Sequence, residues 1–111
     1  MEEKMLLPVY HVNSAKEALA SSSTMEVTCK KSVHKVGTNW LGTWTFVVIT
    51  PVEGAPDNRA PLVKWRNLEP KVITTINGLT GLAVEVGAHI PEFPLLEGQV
   101  AFWKGGSRQG S

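Results

Sequence analysis

Residues able to do acid–base, nucleophilic or metal chemistry are few and scattered in this chain. The three histidines, His11, His34 and His89, lie far apart in sequence, and none has a second histidine, an aspartate or a cysteine at the spacing of metal ligands. Asp57 is the only aspartate and Cys29 the only cysteine, and no nucleophile elbow, phosphate-binding loop or zinc-protease motif occurs. We therefore predict that the protein is not an enzyme, and we expect neither a metal nor a cofactor.

The remaining ionisable groups that could act in a site have ordinary structural explanations. Glu92 and Glu97 flank a proline-containing loop, so we expect these carboxylates to be solvated. Cys29 alternates with Met25 and Val27 along a predicted strand, which places the thiol on the apolar face. A buried cysteine of this kind is usually unreactive, and a single cysteine excludes an intramolecular disulfide.

Basic side chains stand beside tryptophans in two stretches of the chain. One is the run of lysines that precedes Trp40, and the other is the alternation of cation, ring and cation at residues 64–66. In single-strand binders the rings stack on bases and the cations contact phosphates, so single-stranded nucleic acid is an alternative partner. The competing interpretation is lysines that lie along core tryptophans, and the net charge of +1 favours it. The candidate nucleic-acid-binding residues are Lys30, Lys31, Lys35, Trp40, Lys64, Trp65 and Arg66.

The length and charge of the chain fit a single, nearly neutral domain. It has 111 residues, with eleven basic and ten acidic side chains. The apolar run at residues 5–12 is interrupted by Pro8 and His11, which is unlike a signal peptide, and no later run is long enough to span a membrane. We expect a cytoplasmic or virion-associated protein with no membrane partner.

Alternating apolar residues predict two long strands that form an antiparallel hairpin. Residues 43–50 are apolar on both faces, which is typical of a strand with packing on each side. Residues 24–36 alternate apolar and polar side chains, which is typical of a half-buried strand. Upstream, Asn13 or Ser14 can cap a short helix over residues 15–20, and this is the one helix that we expect.

Turn residues divide the second half of the chain. The three prolines in residues 51–61 predict the longest loop. Asn77-Gly78 is the strongest hairpin signal in the sequence, because both central positions of a type I′ turn need positive φ. The predicted strands of this half lie at residues 62–66, at 71–76, after the Asn77-Gly78 turn as far as 86, and at 99–103.

Six or seven short strands with almost no helix predict an all-β protein, a small antiparallel barrel or sandwich. An immunoglobulin-like sandwich lacks its Cys, Trp, Cys spacing, and an OB-like barrel would need a helix where the proline-rich loop lies. We divide the chain into an extended N-terminal arm at residues 1–12, a single β domain at 13–104 and a flexible tail at 105–111.

The predicted strands carry more apolar surface than one small core can bury. Both faces of the 43–50 strand and of the predicted 71–86 hairpin are apolar, so a second face needs a partner. Our leading hypothesis is a non-enzymatic domain that forms a homo-oligomer and works as a structural or interaction subunit, such as a coat, shell or scaffold component. The candidate self-association residues are Leu6, Val9, Tyr10, Val72, Ile76 and Leu79.

Two short strings resemble parts of known families. Residues 87–98, with His89, Glu92 and a Leu-Glu-Gly close, resemble a shortened cupin motif without the further histidines that cupins place around it. Residues 37–44, with two glycines shortly before tryptophans, resemble the Gly-x-Trp strand of lipocalins and avidins. A further alternative function is a small apolar-ligand carrier in which Trp40, Trp44 and Trp103 line a pocket.

Overall fold

Five antiparallel strands form one open sheet, and two helices pack on one of its faces. The computed structural model describes residues 8–106. The strand order is β3-β2-β1-β5, and β4 also pairs with β2, alongside β3 on the same edge. The elements in chain order are α1 (Val12–Ser21), β1 (Thr24–Val36), β2 (Asn39–Val52), β3 (Ala55–Pro61), β4 (Ile73–Thr75), α2 (Ile76–Glu85) and β5 (Val100–Lys104).

The hairpin of β1 and β2 is the centre of the sheet, as the alternation predicts. Thr24 pairs with Ile49 at one end and Val36 with Asn39 at the other, with register shifts after Cys29. The hairpin turns through two residues, and Gly37 there has a φ of 65°, a conformation that suits glycine. The predicted β1 is confirmed, and β2 extends beyond the predicted residues 43–50 at both ends.

One face of the sheet, the inner face, forms the core with the helices. Alternate residues of β1, β2 and β5 point inward and are buried, together with one side of each helix. The predicted helix at residues 15–20 is confirmed as part of the longer α1, whose Ala15 and Leu19 face the sheet. The largest fully buried side chains are Trp44, Trp103, Met25, Leu62, Leu79, Val27, Val48, Val86 and Cys29.

The predicted hairpin at Asn77-Gly78 is wrong, because these residues lie in the first turn of α2. The hydroxyl of Thr75 caps this helix by accepting a hydrogen bond from the Gly78 N–H at 2.9 Å. The apolar residues of the segment recur at helical spacing and are buried on one side of α2. The segment therefore has one apolar face and one exposed face. The buried residues of this face are Leu79, Leu82, Ala83 and, just after the helix, Val86.

The correction at α2 also changes the fold class. The mainly β composition and the antiparallel sheet are confirmed, but the sheet has five strands and is open. Its second layer is made of α1 and α2, so the structure does not show the predicted barrel or sandwich. The physical reason is that the helical face of α2 covers the sheet where a second set of strands was expected.

Three prolines predict a loop at residues 51–61, but the segment contains the end of β2, a two-residue turn and the strand β3. β3 pairs with β2 from Val47↔Pro61 to Val52↔Ala55 and lies on the edge of the sheet. Proline is compatible with an edge strand because its missing N–H need not face a neighbour. The predicted strand at residues 62–66 is reduced to isolated bridges at Leu62 and Val63.

Both ends of the described chain are held by the domain. Tyr10 forms a parallel bridge with Leu62 and is buried, and its hydroxyl lies 3.3 Å from the Thr50 hydroxyl, which also meets Ser23 at 2.8 Å. At the other end, the Gly106 N–H donates to the carbonyl of residue 87. Residues 1–7 of the predicted arm and 107–111 of the predicted tail lie outside the described residues.

Two glycine substitutions test this packing. Gly81 lies in the exposed interior of α2, and a Cβ at this position would meet only open space, so Gly81→Ala should stabilise the protein by about 1 kcal/mol. A Cβ at Gly105 would collide with the backbone carbonyl of Leu19, so Gly105→Ala should destabilise it by roughly 1–3 kcal/mol. Urea unfolding measures both free energies. A loss of stability in Gly81→Ala, or a neutral Gly105→Ala, would contradict this arrangement.

Candidate interaction surface

The second face of the sheet, the outer face, is not covered by any element in residues 8–106. Its residues alternate with the buried ones along each strand and are half-buried or exposed. An antiparallel sheet of this kind commonly has one wet face. The residues of the outer face are Thr24, Glu26, Thr28, Thr45, Val47, Ile49, Arg59, Pro61, Val100, Phe102 and Lys104.

The β2 row of the outer face is apolar at Val47 and Ile49, and one ion pair crosses it. Val47 and Ile49 of β2 are half-buried there, and the carboxylate of Glu26 on β1 pairs with the Arg59 guanidinium on β3 across β2. Arg59 is largely exposed, so this pair adds little to stability. This ion pair lies over β2 and does not extend to the side chains of β5.

β5 is an edge strand with unpaired backbone groups. The Cys29 N–H donates to the Gln99 carbonyl at 2.9 Å, which sets the alternation of hydrogen bonds between β1 and β5. By that alternation Ala101 and Trp103 bond to β1, whereas the N–H and C=O groups of Val100 and Phe102 point away from it. Within residues 8–106 these outward groups have no hydrogen-bond partner.

The side chains on this edge are apolar and exposed. Val100 is 44% exposed and Phe102 is 54% exposed, and both belong to the outer face. We call Val100, Ala101 and Phe102 the β5 edge. An edge that combines free backbone groups with exposed apolar side chains favours pairing with another strand.

The opposite edge of the sheet is protected in part. The outward backbone groups of Asp57 and Arg59 on β3 have no partner within residues 8–106, but they lie between two prolines and carry charged side chains. β3 carries Pro56 and Pro61, and the segment at Tyr10 covers its end. The Tyr10 N–H donates to the Pro61 carbonyl at 2.9 Å, and the Val63 N–H donates to the Tyr10 carbonyl at 2.7 Å. Prolines and covering segments are common means of blocking an edge.

The predicted self-association residues do not form one surface. Tyr10 and Leu79 are buried within the subunit, and Ile76 packs against the core. Val9 is half-buried and Val72 is exposed, whereas Leu6 lies outside the described residues. The exposed apolar pair Val100 and Phe102 was missed by the sequence analysis. The signal that marks it is the run Val100-Ala101-Phe102-Trp103, which is apolar on both faces of a short strand.

Four of the predicted nucleic-acid-binding residues lie on the hairpin of β1 and β2, towards its turn. Lys35 lies opposite Trp40 across the hairpin, with its ammonium nitrogen 5.6 Å from the ring centroid. Trp40 is 51% exposed, and Lys30 and Lys31 lie further down the same arm and are also exposed. No acidic residue occurs in the sequence between Glu26 and Glu53, so this hairpin carries only positive charge, and Glu97 lies beside it with its backbone N–H donating to the Ser32 hydroxyl at 2.7 Å.

The other three predicted nucleic-acid-binding residues lie on a separate turn. Lys64, Trp65 and Arg66 are exposed on the turn between Val63 and Pro70, which are bridged to each other. The Trp65 ring makes an edge contact with His11 at a centroid distance of 4.6 Å. The structure therefore divides the predicted set into two groups, with the lysines and Trp40 on the hairpin and residues 64–66 on this turn.

The tryptophans predicted for an apolar-ligand pocket do not share a cavity. The indole N–H of Trp44 donates to the Pro94 carbonyl at 2.8 Å, and that of Trp103 donates to the Glu92 carbonyl at 2.7 Å. Both rings are fully buried, whereas Trp40 lies exposed on the hairpin. Trp44 and Trp103 are therefore core residues that hold the segment before β5.

The described residues also give no metal centre or membrane-spanning helix. No three histidine, cysteine, aspartate or glutamate side chains between Pro8 and Gly106 lie together as metal ligands would. Neither α1 nor α2 is long and apolar enough to cross a bilayer.

Cys29 lies in the core with its thiol donating to the Lys31 carbonyl at 3.2 Å. Burial raises the pKa of the Cys29 thiol, and the nearby Glu97 carboxylate adds to the rise, although a backbone hydrogen bond at Lys31 acts in the opposite direction. A raised pKa lowers the thiolate fraction, and the thiolate is the nucleophile. The geometry thus gives Cys29 a packing role.

Comparison with known protein families, with curated proteins and with solved structures found no match to this chain. Function must therefore be inferred from the residues and surfaces of this structure.

The burial of Cys29 can be measured by its reactivity. We expect a disulfide reagent to label Cys29 in the native protein at least about a hundredfold more slowly than in urea, because labelling needs local opening and a thiolate. A cysteine at the exposed neighbouring position, in Lys30→Cys, is the control and should react rapidly in the native protein. Equal rates for Cys29 in native and unfolded protein would contradict its placement in the core.

Proposed function

We propose that this protein is a self-associating, non-enzymatic β domain that acts as a structural or protein-interaction subunit. The observation that carries the proposal is the β5 edge, where exposed Val100 and Phe102 flank backbone groups that have no partner in the described part of the chain. A free edge of this kind is a template for another strand, and soluble proteins usually block it. In this protein the free stretch of the opposite edge is short, lies between Pro56 and Pro61 and is charged, whereas the β5 edge carries exposed apolar side chains.

The outer face supports the same proposal. It carries the exposed Val100 and Phe102 of β5 and, beyond the polar β1 row, the half-buried Val47 and Ile49 of β2. Exposed apolar patches bordered by polar residues commonly mark a protein–protein contact. The structure also offers no cluster of groups at residues 8–106 that would hold a metal, and its one cysteine is buried. A coat, shell or scaffold component is a role that needs only such surfaces.

Self-association can be tested by size as a function of concentration. Sedimentation or light scattering should show a dimer or larger assembly that dissociates on dilution. Phe102→Lys should weaken the assembly by at least about tenfold in dissociation constant, because it replaces an exposed apolar ring at the edge by a charge.

Val84→Lys is the matched control for this experiment. Val84 is 74% exposed on α2, so the substitution makes the same chemical change on an exposed apolar residue away from the sheet edge. We expect its assembly to equal that of the unaltered protein. A protein that stays monomeric at the highest concentration, or an equal loss in both variants, would contradict the proposal.

A second candidate function is binding of single-stranded nucleic acid by the hairpin. The specific observation is the exposed Trp40 ring with the Lys35 ammonium against it, on an arm that also carries Lys30 and Lys31 and no acidic residue. Ring stacking on bases and ammonium contacts to phosphates are the two elements of sequence-tolerant strand binding. The near-neutral chain would bind through this local charge.

Nucleic-acid binding predicts a salt-dependent quenching of tryptophan fluorescence by an oligothymidylate. The triple variant with glutamine at positions 30, 31 and 35 should lower the slope of log affinity against log salt by roughly 2, because each phosphate contact to a single strand contributes about 0.7. The double variant Lys64→Gln, Arg66→Gln is the control. It should leave the part of the salt slope that comes from the hairpin unchanged. Absence of quenching at low salt would contradict this function.

A further inference from the structure

We propose that two copies of this protein pair through β5, antiparallel and about a two-fold axis at Ala101, so that their sheets become continuous. This inference rests on the proposed self-association and names its geometry. The pairing is supported by the free backbone groups of Val100 and Phe102, by the occupied backbone groups of Gly98 and Lys104 on either side of them, and by the side chains that would meet across the axis.

The free backbone groups are symmetric about Ala101. In β5 the outward N–H and C=O groups belong to Val100 and Phe102, one residue to each side of Ala101. In an antiparallel pair, residues that exchange hydrogen bonds do so through both their N–H and C=O groups. Val100 of one copy would therefore exchange two hydrogen bonds with Phe102 of the other. The two-fold axis gives two such pairs, so four hydrogen bonds satisfy all four outward groups of each copy.

Other registers are disfavoured because the neighbouring groups are already used. The Lys104 carbonyl accepts a hydrogen bond from the His89 N–H at 2.8 Å, and the Gly98 N–H donates to the Cys29 carbonyl at 2.8 Å. Shifting the axis by one residue towards Lys104 or towards Gly98 would place these occupied groups opposite the free ones. The register centred on Ala101 is the one that matches free groups to free groups.

The side chains fit this register. Val100 of one copy lies directly opposite Phe102 of the other on the outer face, so the four exposed apolar side chains form one cluster across the axis. On the inner side the two Ala101 residues meet at the axis, and their small size lets the strands approach. Lys104 comes opposite Gly98 of the second copy, next to the oppositely charged Glu97.

There is room for a second strand at this edge. A cleft of about 320 Å³ is lined by Glu92, Phe93 and Pro94 together with Val100 and Ala101. The occupant that matches this apolar edge is a second β5, because the free stretch of β3, at the other edge of the sheet in residues 8–106, is confined between Pro56 and Pro61 and carries the charged Asp57 and Arg59.

Amide hydrogen exchange on the unaltered protein tests the pairing residue by residue. In dilute, monomeric protein the Val100 and Phe102 amides should exchange rapidly, whereas those of Ala101 and Trp103 are protected by β1. At concentrations where sedimentation shows assembly, Val100 and Phe102 should become protected by at least about tenfold, and Ala101 and Trp103 should change little.

Cross-linking tests the position of the axis. In the proposed pair the two residues at position 101 are direct, non-hydrogen-bonded neighbours, with Cα atoms about 4.5 Å apart, a distance that a disulfide spans. Ala101→Cys should therefore form a covalent dimer when a mild thiol oxidant is added. Lys104→Cys is the control, because its two copies would lie far from each other on opposite sides of the axis. The buried Cys29 is present in both variants.

The outcomes separate this inference from the proposed function. Concentration-dependent protection confined to Val100 and Phe102, with cross-linking at position 101, supports the β5 pair. Assembly by sedimentation with unprotected Val100 and Phe102 amides would overturn the β5 pair and leave self-association through another surface. A monomer at every concentration would overturn both. If Ala101→Cys fails to fold, the exchange experiment alone decides.

Discussion

Two buried indole N–H groups set the arrangement of this protein. Trp44 and Trp103 donate to the carbonyls of Pro94 and Glu92, and Phe93 lies between these acceptors with its ring centroid 5.8 Å from that of Trp103. A buried indole without an acceptor would cost about 1–3 kcal/mol, so the irregular segment before β5 is required by the core. Prolines are compatible with this position, because the segment lies outside the sheet and needs no N–H group for strand pairing. Its carbonyls are free to accept hydrogen bonds from the indoles. The segment completes the inner layer beside the helices.

The position of this segment determines which strand lies at the edge. The Val33 N–H bonds to the Leu95 carbonyl and the Cys29 N–H to the Gln99 carbonyl, so the chain is directed along β1 as it enters β5. β5 then pairs with β1 along its length, and its far side is bonded at the Lys104 end by the His89 N–H but is open at Val100 and Phe102. The same pairing places Phe102 on the outer face and Trp103 in the core. One core interaction therefore leads to the exposed edge on which the proposed function depends.

The sequence predicts the strands β1 and β2 because their alternation is local, but it misassigns α2. The turn dipeptide Asn77-Gly78 outweighed the helical spacing of the apolar residues and the capping position of Thr75. That error also supplied half of the apolar surplus from which self-association was predicted, since α2 buries its apolar side within the subunit. The surplus that remains lies on β2 and β5. The run from Val100 to Trp103 marks β5 as a strand with two apolar faces, but which of its faces is exposed depends on pairing between strands distant in sequence.

The two edges of the sheet differ in a way that limits how copies can assemble. If β5 of one copy could pair with β3 of the next, the contact would be head-to-tail and could continue into a filament. That route is disfavoured, because the free stretch of β3 is confined between Pro56 and Pro61 and carries the charged Asp57 and Arg59, which do not match the apolar Val100 and Phe102. Pairing of β5 with β5 of a second copy, in contrast, would close on itself at two subunits. If the copies pair in this way, any assembly larger than a dimer would have to use the outer face or the hairpin of β1 and β2.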